Sequence, residues 1–227
     1  MRPLRLGPMI SAPMSRPFDP AAAASPDSGL FGLPHTPEEA AVHVLPAPFD
    51  ATASYRKGAW KGPQAILAAS RQVDLYDLAT GRPYEAGICL LPDEGDAIGT
   101  RNREASERAD RLIAAAGAVG DSAELAADLE RVNALGAEVN ALVRERTAAV
   151  LEAGKLPALV GGDHSTPFGA IQAAAERHAG LGLLHFDAHA DLRAAYEGFA
   201  WSHASILHNV VERLDGVAQV VQVGVRD

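Results

Sequence analysis

His185, Asp187, His189 and Asp191 fall within GLLHFDAHADLR, residues 182–193, a stretch that begins apolar and ends in polar side chains. In extended chain alternate residues face the same side. Asp187, His189 and Asp191 can therefore converge while Ala188 and Ala190 point away and leave room for an ion. Carboxylates combined with imidazole suit a hard or borderline divalent cation such as Mn²⁺, and the lack of a Cys ligand disfavours a structural zinc site. Two carboxylates this close need a cation or protons to coexist. The plainer alternative is an Asp and His cluster hydrogen-bonded within a strand end.

A second polar tip closes LPALVGGDHS, residues 156–165. Gly161 and Gly162 let the backbone turn sharply, which presents Asp163 and His164 at the tip. Taken alone, the same residues read equally well as a capped turn in which Ser165 or Thr166 opens the next helix.

Both tips need a scaffold that brings strand ends together. Short apolar runs ending in polar turns, AVHVLPAPFD, AGICLLPDEGD, LPALVGGDHS, LGLLHFDAHAD and VAQVVQVGVRD, read as buried strands. Helical spacing appears between them at about 63–78, 102–117, 122–154, 166–178 and 203–214. Strands alternating with helices imply an α/β domain with a mainly parallel sheet and helices on both faces. Ligands in such sheets gather beyond the carboxyl ends of the strands, where these two tips lie. Residues 1–36 are rich in Pro, Ala and Ser without a sustained period and read as a disordered N-terminal arm, leaving 37–227 as the domain.

Composition narrows the partners. The formal net charge of −9 argues against nonspecific binding to nucleic acid or to an anionic membrane, and suits a small cationic substrate. The single cysteine, Cys89, rules out an internal disulfide and fits a reducing cytoplasm. Prolines at 3, 8 and 13 interrupt any signal-peptide apolar region, and no window reaches the length of a membrane span.

The order GGDHS followed by DAHAD resembles the ureohydrolases, the arginase and agmatinase family. PFDATASYRKGAWKGPQAIL (48–67), SRQVDLYD (70–77) and DLRAAYEGFAWSHASILHN (191–209) continue the likeness, which covers roughly residues 41–227. Metallophosphoesterases share the Asp-x-His spacing of Asp187 and His189, but their Gly-Asp element follows it, whereas here it comes first. The resemblance implies a three-layer αβα arginase-like fold and hydrolysis of a linear, agmatine-like guanidino compound to urea and an amine. It implies two Mn²⁺ ions, replaceable by Ni²⁺ or Co²⁺, with a bridging hydroxide as nucleophile. His164, Asp187 and Asp191 would hold one ion, and Asp187 and His189 the other. His203, in WSHAS, matches the family's catalytic histidine, although its neighbours also read as a helix start after Ser202. Asp163 would steady the ligands.

One departure bears on this reading. Members of the family carry a later Asp-x-Asp that completes both metals, and no such pair occurs in this sequence. The resemblance therefore implies the first two thirds of the domain, without the C-terminal strands and helices. Such a chain would act as a homo-oligomer or with the missing part, or be an inactive fragment binding at most one metal. Among the remaining residues, Ser54, Tyr55, Arg56, Glu94, Asp96 and Glu197 are weak candidates for the pocket. His35, His43, His178, His185 and His208 read as structural or surface residues. Trp60 and Trp201 are expected at the core margin.

Overall fold

The structure is a computed structural model in which residues 18–226 are described. Five strands alternate with helices along the chain: β1 (Val42–Ala47), β2 (Ile88–Leu90), β3 (Leu156–Gly161), β4 (Leu181–Phe186) and β5 (Val217–Val223). The helices are α1 (Gly62–Ser70), α2 (Ala97–Ala114), α3 (Ala123–Glu152), α4 (Phe168–Arg177) and α5 (Ile206–Arg213). Each of the five apolar runs forms its strand. The helix bounds shift for local reasons. α1 stops at Ser70, and the chain then turns at Asp77, whose Oδ1 accepts the Ala79 and Thr80 N–H groups. α2 starts at Ala97 because the Asp93 carboxylate accepts the N–H groups of Ile98 and Gly99, satisfying first-turn donors.

The pairings between these five strands are parallel, but they form two sheets rather than the single expected one: β2-β1-β3 and β4-β5. An apolar crevice of about 260 Å³ lies between β3 and β4, lined by Leu159, Ile171, Leu181 and Leu183 among others. Five consecutive residues of β1, His43 to Ala47, are buried. Successive side chains point to opposite faces, so this sheet is covered on both sides. β4 instead alternates, and Leu184, Phe186, Val221 and Val223 remain exposed. The other face of the β4-β5 sheet packs Leu183, Val217 and Val220 on Phe168, Ile206, Leu207 and Val210 of α4 and α5.

The main core joins Phe49, Ile98, Leu135, Val139 and Val143, clamping α2 and α3 onto the end of β1. The first seventeen residues of the expected arm, and Asp227, lie outside the described residues. The end of that arm is folded onto the domain: Leu30 and Leu33 are buried. The Phe31 N–H donates to Ser70 Oγ, and Arg71 donates to the Ser28 carbonyl. Among the described residues no helix is long and apolar enough to cross a membrane.

Candidate metal centre

The turn after β3 is built for close approach. A Cβ on Gly162 would stand 1.8 Å from the Phe49 carbonyl oxygen, so only glycine lets the end of β3 pass the end of β1. The Asp163 N–H donates to that same carbonyl at 2.9 Å. Asp163 Oδ1 accepts from the N–H and Oγ of Ser165, while its Oδ2 is buried without a partner. Burial pushes the Asp163 carboxyl above the usual carboxylate range, against the pull of the Ser165 hydrogen bonds. After β1, Asp50 Oδ2 accepts the N–H groups of Gly58 and Trp60 and fixes the loop that leads into α1.

The second tip is not a continued strand. β4 ends at Phe186, the Asp187 N–H still donates to the Val223 carbonyl, and the chain then leaves the sheet. Asp191 has φ of 52°, a left-handed conformation that Asp tolerates better than most residues. Its carbonyl accepts the N–H groups of Leu207 and His208, anchoring the turn to the start of α5.

These two turns bring His164, Asp187 and Asp191 together. His164 Nδ1 lies 2.6 Å from Asp191 Oδ2 and 3.4 Å from Asp187 Oδ2. His185 completes a group of four whose donor atoms lie within 4.8 Å of one another. Its ring stacks on His164 at 5.1 Å with 16° between planes. Strand alternation would have found His185, two residues before Asp187 and on the same face of β4. His189 sits differently. Its side chain is 65% exposed, and among the described residues it reaches only Asp187, through its N–H at 2.9 Å and Nδ1 at 3.3 Å. Partial burial alone would raise the Asp187 carboxyl, but the His189 N–H and the neighbouring His164 bring it below its ordinary value.

His203 is the first residue of a short 3₁₀ turn after Ser202, and its Nδ1 is buried without a partner. It lines a cleft of about 490 Å³ with His189, Asp191, Arg193 and Tyr196. The Tyr196 ring meets His203 edge-on at 5.8 Å, and the Arg193 guanidinium lies over Tyr196 at 5.2 Å. Arg193 and Tyr196 were not singled out in the sequence, where nothing in their spacing marks them. Trp201 packs on Phe168 and against Gly136, behind the His203 turn. Tyr55 is 77% exposed and absent from the cleft lining.

The donor set fits a divalent cation: His164, Asp187 and Asp191, all in turns that follow strands, bring two carboxylates and an imidazole nitrogen into one small volume. Its two negative charges match one such ion better than two. A parallel α/β fold with a candidate divalent-metal site beyond its strand ends is the class these features define.

The model of the Arginase family matches residues 40–227, and the chain belongs to that family. It is 34% identical over 199 residues to an N(1)-aminopropylagmatine ureohydrolase of Thermus thermophilus, covering 87% of this chain and 55% of that protein. It is 28% identical over 195 residues to an agmatinase of Bacillus subtilis, covering 83% and 53%. Among solved structures, the agmatine ureohydrolase of Thermoplasma volcanium superposes with a TM-score of 0.59 at 27% identity, covering 84% of this chain and 52% of that one. The chain spans about half the length of these relatives.

Proposed function

We propose that this chain forms the metal-holding part of a ureohydrolase that cleaves an agmatine-like guanidino compound to urea and an amine. The observation that carries the reading is the convergence of His164, Asp187 and Asp191 from two separate strand ends. Relatives named as agmatinase and aminopropylagmatine ureohydrolase support the substrate class. His164, Asp187 and Asp191 would hold one Mn²⁺, and Asp187 with His189 would contribute to a second, with Ni²⁺ or Co²⁺ as substitutes. Such ions, once bound by these residues, would supply the Lewis acidity that activates water near neutral pH.

The chain's own residues handle the rest. Asp163, pinned by Ser165, holds the turn that presents His164. His203 lines the cleft and would deliver a proton to the departing amine. The net charge of −9 favours a cationic substrate, and the lone buried Cys89 fits a cytoplasmic protein. Association with further copies or with the remaining part of the domain would cover the apolar face of β4 and β5.

The test is urea release from agmatine, arginine and guanidinobutyrate by the purified chain with Mn²⁺. Release from agmatine that chelation and Asp187→Ala both abolish is the expected result. No metal-dependent urea from any of the three would overturn turnover by this chain. A second reading, binding of at most one ion without turnover, is favoured by the exposure of His189. It loses if the chain turns over and Asp187→Ala stops it.

A further inference from the structure

His185 stands directly opposite Gln222 in the parallel register of β4 and β5. Gln222 Nε2 lies 3.1 Å from His185 Nδ1 and 3.0 Å from the Ala190 carbonyl oxygen. A carbonyl only accepts, so the contact with Ala190 fixes which end of the amide faces inward, and that end has a second proton to donate. The reversed amide would set two carbonyl oxygens against each other. His185 Nδ1 is therefore the acceptor, and the neutral ring carries its proton on Nε2. That nitrogen is buried with no hydrogen-bond partner, 3.8 Å from Asp187 Oδ2, on a side chain only 9% exposed. A protonated ring nitrogen has no lone pair for a cation, which separates His185 from His164 although both belong to the same cluster.

We propose that His185 is a positioning residue for the metal centre: Gln222 fixes its ring with the proton on Nε2, and that N–H orients the Asp187 carboxylate instead of taking an ion itself. Closing the gap by about 0.7 Å makes the hydrogen bond, and Asp187 is then held between the His189 N–H on Oδ1 and His185 on Oδ2. The device is written into the sheet, since sliding β5 by one residue would turn Gln222 to the other face. It rests on the reading of His164, Asp187 and Asp191 as metal ligands.

Two measurements on the full chain test it. Long-range ¹H–¹⁵N correlation of the metal-free protein at pH 8, with His185 assigned through His185→Gln, is expected to show the Nε2–H tautomer. Gln222→Met should release that preference. In titration calorimetry with Mn²⁺, His185→Leu is expected to bind about 10- to 100-fold more weakly, and His185→Gln, which retains an amide N–H of similar reach, to recover most of the loss. An Nδ1–H tautomer overturns the proposal, as does wild-type Mn²⁺ affinity in a folded His185→Leu. A His185 Nε2 signal perturbed by Zn²⁺ as a direct ligand overturns it too. If the wild type binds no Mn²⁺, the metal reading fails, while the tautomer measurement still decides the role of Gln222.

Discussion

His164 Nδ1 lies 2.6 Å from Asp191 Oδ2, joining side chains 27 residues apart that belong to turns after different strands. An imidazole and a carboxylate in contact, with the Asp187 oxygen 3.4 Å from the same nitrogen, place three metal-type donors in one spot. Replacing His164 or Asp191 by Ala is expected to weaken Mn²⁺ binding by more than about 100-fold, beyond the range for supporting residues. Calorimetric titration of the folded variants checks this.

His189 should behave differently. With a side chain 65% exposed and Asp187 its one partner among the described residues, it is expected to contribute little to a tightly held ion. His189→Ala is expected to leave the affinity for the tighter ion within about 0.5 kcal/mol of wild type, as for other exposed positions. Loss of all binding in that variant would show that the tight site is built around His189 instead.

Gly162 is fixed by space alone. Because its Cβ would stand 1.8 Å from the Phe49 carbonyl oxygen, Gly162→Ala must push β1 and β3 apart at the site. Strain of this kind costs about 1–3 kcal/mol or more, so thermal unfolding should drop by several degrees. Gly154→Ala, where nothing lies near the added carbon but φ is 71°, is the control for left-handed strain without a clash.

Asp128 sets a pH dependence. It is buried in α3 and accepts from Arg108 and Arg111 of α2 at 2.8 Å each. Burial alone would raise its pKa, but the two guanidinium groups outweigh this and the carboxyl lies below its ordinary value. A folded-state pKa below the unfolded one contributes stability above the unfolded value, about 3.9, that is lost as pH falls through the lower folded value. Asp128→Asn is expected to cost about 1–3 kcal/mol near neutral pH, less than for a fully buried pair because both arginines are partly exposed. Calorimetry should show the gap to wild type steady from about pH 5 to 8 and narrowing below about pH 4.

Local pattern carried much of this protein. The five strands follow from apolar runs that end in polar turns, because a strand buried from both faces must be mostly apolar, as β1 is apart from His43, whose Nε2 meets the Pro37 carbonyl at 2.8 Å. The order of GGDHS and DAHAD, with the flanking segments, marked the family, because chemistry-bearing residues at fixed spacing are visible without knowing where the chain goes. It also named His164, Asp187 and Asp191 as a set.

What the sequence could not determine was which neighbours joined that set. Alternation along an extended strand put Asp187, His189 and Asp191 on one side, but the strand stops at Phe186 and Asp191 turns back with φ of 52°. His189 is thereby left outside and His185, read as structural, lies within the group. The split between β3 and β4, the pairing of His185 with Gln222 and the placing of Tyr196 beside His203 likewise depend on contacts between distant segments. Residue type and spacing decide what chemistry a strand end can offer. Only the tertiary packing of turns onto other elements, here Asp191 onto α5 and Gly162 onto β1, decides which side chains meet.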